Sequence, residues 1–391
     1  MPSSEMKPGF SRDTLPVFGQ PSWHLVTPSV EAYLTQQGGH LGPILFHFED
    51  RTIAPYALCP WAEEDTDDAL PPLLKVLRGD FFCMPFGAND EAFQGEHHPP
   101  HGETANNLWK FESMRQSGDT VTFRASLDTS VRPGHVDKWI SLHSGHHAVY
   151  VRHVISGMNG PMSLGHHAML KFPDTPGSGI VTTSPFLYAQ TAPQPVELPE
   201  NRGFSVLQPG TPFSSLAEVP MISGQSTDLS RYPARKGYED LVLLVSDPSV
   251  DIAWTAVTFP AERYVWFALK DPLILKQTVF WLSNGGRHYP PWNGRHTSVM
   301  GLEEVTSFFH YGLLQSVENN LLADLGHATC FHLDSAVPMD VRYIMAVAEI
   351  PEEFDWVESI SMGLDESAVL LRSASGVEVS VRLDLTFLQS G

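Results

Sequence analysis

The clearest pattern lies near the C-terminal end. From Val377 to Phe387 every odd position is apolar and every even one is polar. That period of two sets one face of a strand on a core and the other in water. Ser373-Ala374-Ser375-Gly376 separates the run from Ala368-Val369-Leu370-Leu371, which predicts a hairpin. Val121 to Leu127 alternates after the turn Ser117-Gly118-Asp119, and Val149 to Ile155 alternates up to Gly157. Leu241 to Val245, Ile252 to Val257 and Tyr264 to Leu269 are short runs rich in β-branched and aromatic residues, as strands prefer. Helical periodicity is scarce. Pro71 to Leu77 has room for a turn or two, and Thr306 to Leu325 is the best helical candidate. The expectation is a mainly β chain: one large antiparallel β-sandwich with few helices, spanning residues 1–391 as a single domain. The Pro-rich stretches Gln190–Pro199 and Gln208–Pro220 fall within long loops at 173–236 and are expected to lie ordered over the sandwich.

Charge narrows the function classes. The 391 residues carry 24 basic and 45 acidic side chains, a net charge of −21. That balance argues against a sequence-independent nucleic-acid binder, which needs a basic stripe, and against adhesion to anionic lipid. An apolar share of 42% supplies a large core. No apolar run reaches the roughly 18 residues of a membrane span, and the first residues lack a signal-peptide pattern. The expected location is therefore the cytoplasm. The three cysteines, Cys59, Cys83 and Cys330, are too far apart for a CxxC metal pair or a disulfide framework.

Four clusters could carry chemistry. His97-His98-Pro99-Pro100-His101-Gly102-Glu103 concentrates three imidazoles and a carboxylate, which invites a metal. The prolines, however, prevent a regular paired strand that would align the imidazoles on one face. His97 and His98 are expected in an exposed loop, whereas Gly102 lets the backbone turn after His101. In Gly165-His166-His167-Ala168-Met169-Leu170 a strand would turn one histidine inward and the other outward. Glu303-Glu304 follows an apolar pair; it is either the solvated start of a helix or a site where one carboxylate, desolvated in a pocket, serves as a base. Arg78-Gly79-Asp80 precedes the aromatic Phe81-Phe82 and reads either as an ion pair at a strand start or as polar groups for hydroxyls. Trp109, Trp281 and Trp292 stand near these clusters. Aromatic rings beside Asp, Glu, Arg and His suit sugars, whose C–H faces pack on the rings.

Taken in order, these segments resemble the galactose mutarotase-like superfamily, the aldose 1-epimerases and their relatives. Arg78-Gly79-Asp80 through Pro85-Phe86-Gly87 resembles the Arg-Gly-Gly…Pro-x-Phe-Gly segment of the hexose-phosphate branch, with Asp80 replacing a glycine. His101-Gly102 through Asn107 and Trp109 is similar to the family's first-histidine segment. Pro161 to His167 resembles its second-histidine strand, although His-x-Tyr-Phe becomes His167-Ala168-Met169-Leu170. Gly301-Leu302-Glu303 resembles its Leu-Glu-Pro, with Glu304 in place of proline, and Gly237 to Leu243 resembles its acidic segment faintly. The resemblance implies a β-sandwich and interconversion of the anomers of a small sugar, free or phosphorylated, without cofactor or metal. Glu303 would be the base and His167 the acid, with His166 competing for that role. His101, Arg78, Asp80, Asn107, His166, Asp240 and Trp281 would bind substrate. Asp80 beside Arg78 would repel phosphate and favour a neutral sugar. Two alternatives remain: a non-catalytic carbohydrate-binding or regulatory protein on the same fold, and a metal enzyme built from His97, His98, His101 and Glu103.

Overall fold

The computed structural model describes residues 12–363 and 367–389. Two large antiparallel sheets dominate. One has nine strands, in the order Arg231–Tyr232, Gly179–Thr183, Ala253–Phe259, Tyr264–Lys270, Met339–Glu349, Ala148–Ser156, Gly134–His143, Thr120–Thr129 and Lys110–Ser117. The other has seven: Phe186–Thr191, Tyr238–Ser246, Gln277–Asn284, Val299–Thr306, Leu164–His166 and Phe82–Cys83, with Ala168–Lys171 also paired to Val299–Thr306. The predicted β-sandwich is the observed architecture. The main core lies between these sheets, with Phe123, Ile140, Trp266 and Met345 from one meeting Val242, Phe280, Met300 and Leu302 from the other. A five-stranded N-terminal sheet adds Trp23, Leu34 and Phe46 to the same core.

Both outer faces are covered too. Val357–Met362, Ala368–Ser373 and Glu378–Arg382 form a three-stranded sheet, which buries Val369, Leu371 and Val381 against Tyr150, Phe267 and Ile344. The predicted hairpin joins the last two of these strands. Its alternation outlasts the strand, because the chain turns into a 3₁₀ turn at Leu385–Leu388. The outer face of the seven-stranded sheet is capped by the short helix Pro72–Val76 and by aromatic loops.

Two expectations are corrected. Thr306–Leu325 is not one helix: Thr306 ends a strand, and only Leu313–Val317 and Leu321–Asp324 are helical. The break falls at Phe309 and Gly312, both at positive φ, where a helix cannot continue. The 173–236 region is not all loop. It contributes Gly179–Thr183, Phe186–Thr191 and Arg231–Tyr232 to the main sheets; the stretch from 192 to 218 is the irregular part. Among the described residues no helix is long and apolar enough to cross a membrane.

Candidate active site

Strand parity builds the site. Val279 pairs with Glu303 and Trp281 with Gly301, while Glu239 pairs with Ser283 and Leu241 with Trp281. Successive side chains leave opposite faces of a sheet, so the odd-numbered residues of these three strands share the outer face. Even-numbered Val242, Phe280, Leu282, Met300 and Leu302 enter the inter-sheet core. Gly165 pairs with Val305 and Ala168 with Leu302. That register sets His167 opposite Glu303 on the outer face and His166 opposite Glu304 on the inner one.

His167 Nε2 lies 3.1 Å from Glu303 Oε1, with both side chains nearly inaccessible to solvent. The His167 backbone N–H donates to the Phe81 carbonyl at 2.9 Å. Its ring stacks on Phe81 with centroids 4.5 Å apart and meets Trp281 and His101 edge-on at 5.7 and 5.1 Å. Gly301 makes room for the carboxylate, since a Cβ there would stand 2.7 Å from Glu303 Oε1. His101 sits at φ 57° and Gly102 at φ 76°. A Cβ on Gly102 would lie 1.9 Å from the Met84 carbonyl oxygen, so the turn that swings His101 inward requires glycine there. Glu303, His167, His101, Trp281, Arg287, Trp292 and His310 line one cleft together with Leu73, Leu74 and Leu77. Its volume is ≈ 90 Å³, room for a few waters and less than the roughly 300–1,000 Å³ of most ligand sites.

Burial governs the electrostatics. It pushes the Glu303 carboxyl well above the usual range, only partly opposed by Arg287. It pulls His167 down to about 3, His310 to about 4, and His101 well below an ordinary imidazole. Both shifts act in the same sense, favouring the uncharged carboxyl and the uncharged imidazole over the ion pair. Arg287 is the lone Lys or Arg among the described residues lining the cleft. Burial disfavours its charge, but Glu239 and Glu197 outweigh that and raise its pKa. Its Nε donates to Glu197 Oε1 at 2.6 Å, and Tyr289 Oη donates to the same oxygen at 2.9 Å. Behind the wall, buried Glu239 accepts hydrogen bonds from Trp281 Nε1 (3.0 Å), Ser283 Oγ (3.1 Å) and the Gly286 N–H (3.1 Å). Burial raises it to about 7.

Five other residues named from the sequence stand elsewhere. Arg78 is fully buried and donates to the carbonyls of Val76, Val17 and Phe18 at 3.0, 2.8 and 2.9 Å. It clamps the N-terminal turn instead of facing the cleft. Asp80 and His166 pair at 2.9 Å on the inter-sheet side, where His166 stacks on Tyr343. Asp240, of even parity, accepts the N–H groups of Val206 and Leu207, each at 3.1 Å. Asn107 donates to Glu103 Oε1 at 3.1 Å. Glu103 also accepts from Ser130 N (2.9 Å) and Val131 N (3.0 Å), so it is not a free metal donor. His98 pairs with Glu96 at 3.0 Å and His97 is exposed. Among the described residues no group of three or more His, Cys, Asp or Glu is placed to hold a metal ion, and the metal alternative loses its ligand set.

Sequence reasoning missed Arg287, His310 and Glu239 as site residues. Arg287 had a signal: a cation just past Gly285-Gly286, between Trp281 and Trp292. Glu239 had the parity of its strand, which separates it from Asp240.

No family model and no curated protein sequence matches the chain. Solved structures do. A galactose mutarotase-like protein from Clostridium acetobutylicum superposes with a TM-score of 0.57 at 10% identity, over 87% of this chain and 100% of that one. The fold is that of the galactose mutarotase-like proteins. A candidate aldose 1-epimerase from Escherichia coli K12 gives 0.56 at 13% identity over 85% of this chain and 100% of its own. A galactose mutarotase related enzyme from Lactobacillus acidophilus gives 0.54 at 10%, over 86% and 100%. At these identities the galactose mutarotase-like fold is what the chains share.

Proposed function

We propose that the cleft interconverts the anomers of a small sugar by general acid–base catalysis, with Glu303 and His167 as the proton-transfer pair. The observation that carries this is their 3.1 Å contact in a buried, aromatic-walled cleft. When sugar binds, the Glu303 carboxyl passes its proton to His167, giving carboxylate and imidazolium. The carboxylate takes the proton of the anomeric hydroxyl while the imidazolium protonates the ring oxygen, and the C1–ring-oxygen bond breaks to leave an open-chain aldehyde. Rotation about C1–C2 and reversal of the steps yield the other anomer. Net charge is conserved throughout, which suits a site of low dielectric, and each positioned transfer supplies roughly 10²–10⁴-fold. Trp281 and Trp292 supply walls for the C–H face of the ring, and His101 and His310 are placed to reach hydroxyls. No step calls for a cofactor.

A second proposal, a sugar-binding protein without catalysis, draws on the closed cleft: the acid and base touch, and the free volume is ≈ 90 Å³. In the catalytic proposal the Leu73–Leu74 segment moves to admit a ring. Anomer exchange followed by NMR across a panel of aldoses separates the two. Acceleration by the wild type that is lost in Glu303→Gln supports catalysis; saturable binding with no acceleration on any sugar supports the alternative.

A further inference from the structure

Arg287 is held in an unusual way. Its Nε is bound by Glu197, which arrives from the irregular 192–218 stretch. Its guanidinium lies 4.5 Å from the centroid of Trp292 and 5.3 Å from that of Trp281. One edge is thus anchored, and the guanidinium carbon sits within cation–π distance of two rings that stand nearly at right angles. Among the described residues, neither Nη1 nor Nη2 makes a hydrogen bond within the chain. Both amino groups are thus left to donate to a ligand in the cleft that Arg287 lines. A planar fork of this kind matches two acceptor oxygens side by side.

Charge decides which oxygens. A phosphate or carboxylate would meet Arg287 already paired with Glu197 at 2.6 Å. Among the described residues lining the cleft there is no other Lys or Arg to balance an added anion, and Arg78, the other guanidinium in question, points into backbone carbonyls. In a desolvated cleft that mismatch is severe. Two adjacent hydroxyls, acceptors without charge, fit both the fork and this balance of charge.

Resting on the sugar-site reading above, we infer that Arg287 is the specificity-determining residue: its free amino groups grip a vicinal diol of an uncharged sugar, while Glu197, already paired with it, makes the cleft reject phosphorylated and carboxylated sugars.

The test uses ligands that cannot react, so that it does not depend on catalysis. A 1,5-anhydrohexitol, its 6-phosphate, and a dideoxy analogue lacking one vicinal diol are titrated into the full-length protein by calorimetry and saturation-transfer NMR. The wild type is expected to prefer the unmodified compound over the phosphate. Arg287→Lys keeps the charge but loses the fork, and should weaken binding of the unmodified compound about 10- to 100-fold, the worth of a charge-assisted pair of hydrogen bonds. The dideoxy analogue should bind variant and wild type alike. Glu197→Gln should narrow the preference against the phosphate by about 10-fold or more, and this ratio still tests the inference if Arg287→Lys does not fold. Equal binding of phosphate and neutral compound by the wild type, an Arg287→Lys effect that ignores the diol, or no binding of any compound each overturns it. Absent anomer exchange in the separate NMR assay, with this selectivity intact, would sink the epimerase proposal alone.

Discussion

The two faces of one strand pair make opposite use of the same chemistry. On the inner face Glu304 accepts hydrogen bonds from Thr255 Oγ1 at 2.6 Å and Thr278 Oγ1 at 2.7 Å, and pairs with Lys270. Thr255 and Lys270 belong to the nine-stranded sheet, so this carboxylate ties the two sheets together. Lys270 Nζ also donates to the Gln277 carbonyl and Thr278 Oγ1, at 2.9 and 3.0 Å. One residue earlier, Glu303 has His167 as its one polar side-chain partner among the described residues, and burial drives its pKa up. His166 and His167 likewise leave opposite faces: the inner histidine pairs with Asp80 and the outer one with Glu303. A buried charge with full partners is architecture. A buried carboxyl left with one titratable neighbour is poised to move a proton.

The sharpest way to break that contrast is Glu303→Gln. It removes the proton-transfer group but keeps its shape, so anomer exchange should fall by about 10²–10⁴-fold while the denaturation midpoint stays the same or rises. A variant that is equally active would end the catalytic assignment. Next comes Lys270→Met, which strands Glu304 without a cation. Breaking a buried pair from one side costs about 3–5 kcal/mol, to be read as a lower urea midpoint. Adding Glu304→Leu should recover much of that loss, because an apolar replacement of the whole pair is tolerated. Sugar binding by the double variant should be retained, since neither residue lines the cleft.

A pH experiment sharpens the contrast from the cleft side. Glu239 has a folded pKa of about 7 against 4.5 for an ordinary glutamate. Between those values the folded protein keeps a proton that the unfolded chain has lost, so this group's contribution to stability is full below about 4.5 and declines as pH rises to about 7. Glu239→Gln should remove that decline. From pH 5 to 7 the wild type should lose about 2 kcal/mol more than the variant in denaturant titrations. Equal slopes would mean that Glu239 titrates normally.

How far these faces were legible depends on what covers them. The β-sandwich was readable because strands such as Thr120–Thr129 alternate buried and half-exposed positions. Tyr238–Ser246 and Val299–Thr306 are buried almost throughout, so their composition is apolar on both sides and the sequence pattern cannot say which face is which. Alternation alone predicts that His166 and His167, like Glu303 and Glu304, point opposite ways. Which of each pair reaches a cleft depends on the register across strands more than a hundred residues apart. Asp240 came from the faint family resemblance of Gly237 to Leu243, which does not tell the face of Asp240 from that of its neighbour Glu239. Arg287 is harder still. It lies beyond a strand end, and its direction is set by Glu197, ninety residues earlier and inside a region with no periodic signal.

The smallest expected effect belongs to the inner histidine. His166 is fully buried, pairs with Asp80 and stacks on Tyr343 at 4.4 Å. Replacing it with Asn shortens the side chain and leaves Asp80 without its ring partner, a loss of about 1–3 kcal/mol for a buried polar group. The described partners of His166 (Asp80, Phe82, His153 and Tyr343) do not line the cleft, so sugar affinity and exchange rate, measured well below the unfolding temperature, should stay within about threefold. His167→Asn should do the reverse, preserving the midpoint while stripping the acid from the pair. The paired variants are more informative than either alone, because their side chains leave the same backbone one residue apart. If both reduce exchange equally, the two faces of the strand are not separate in function, and the parity argument for Glu303 over Glu304 weakens with it. If only His167→Asn does, the division of labour rests on the direction in which one strand faces.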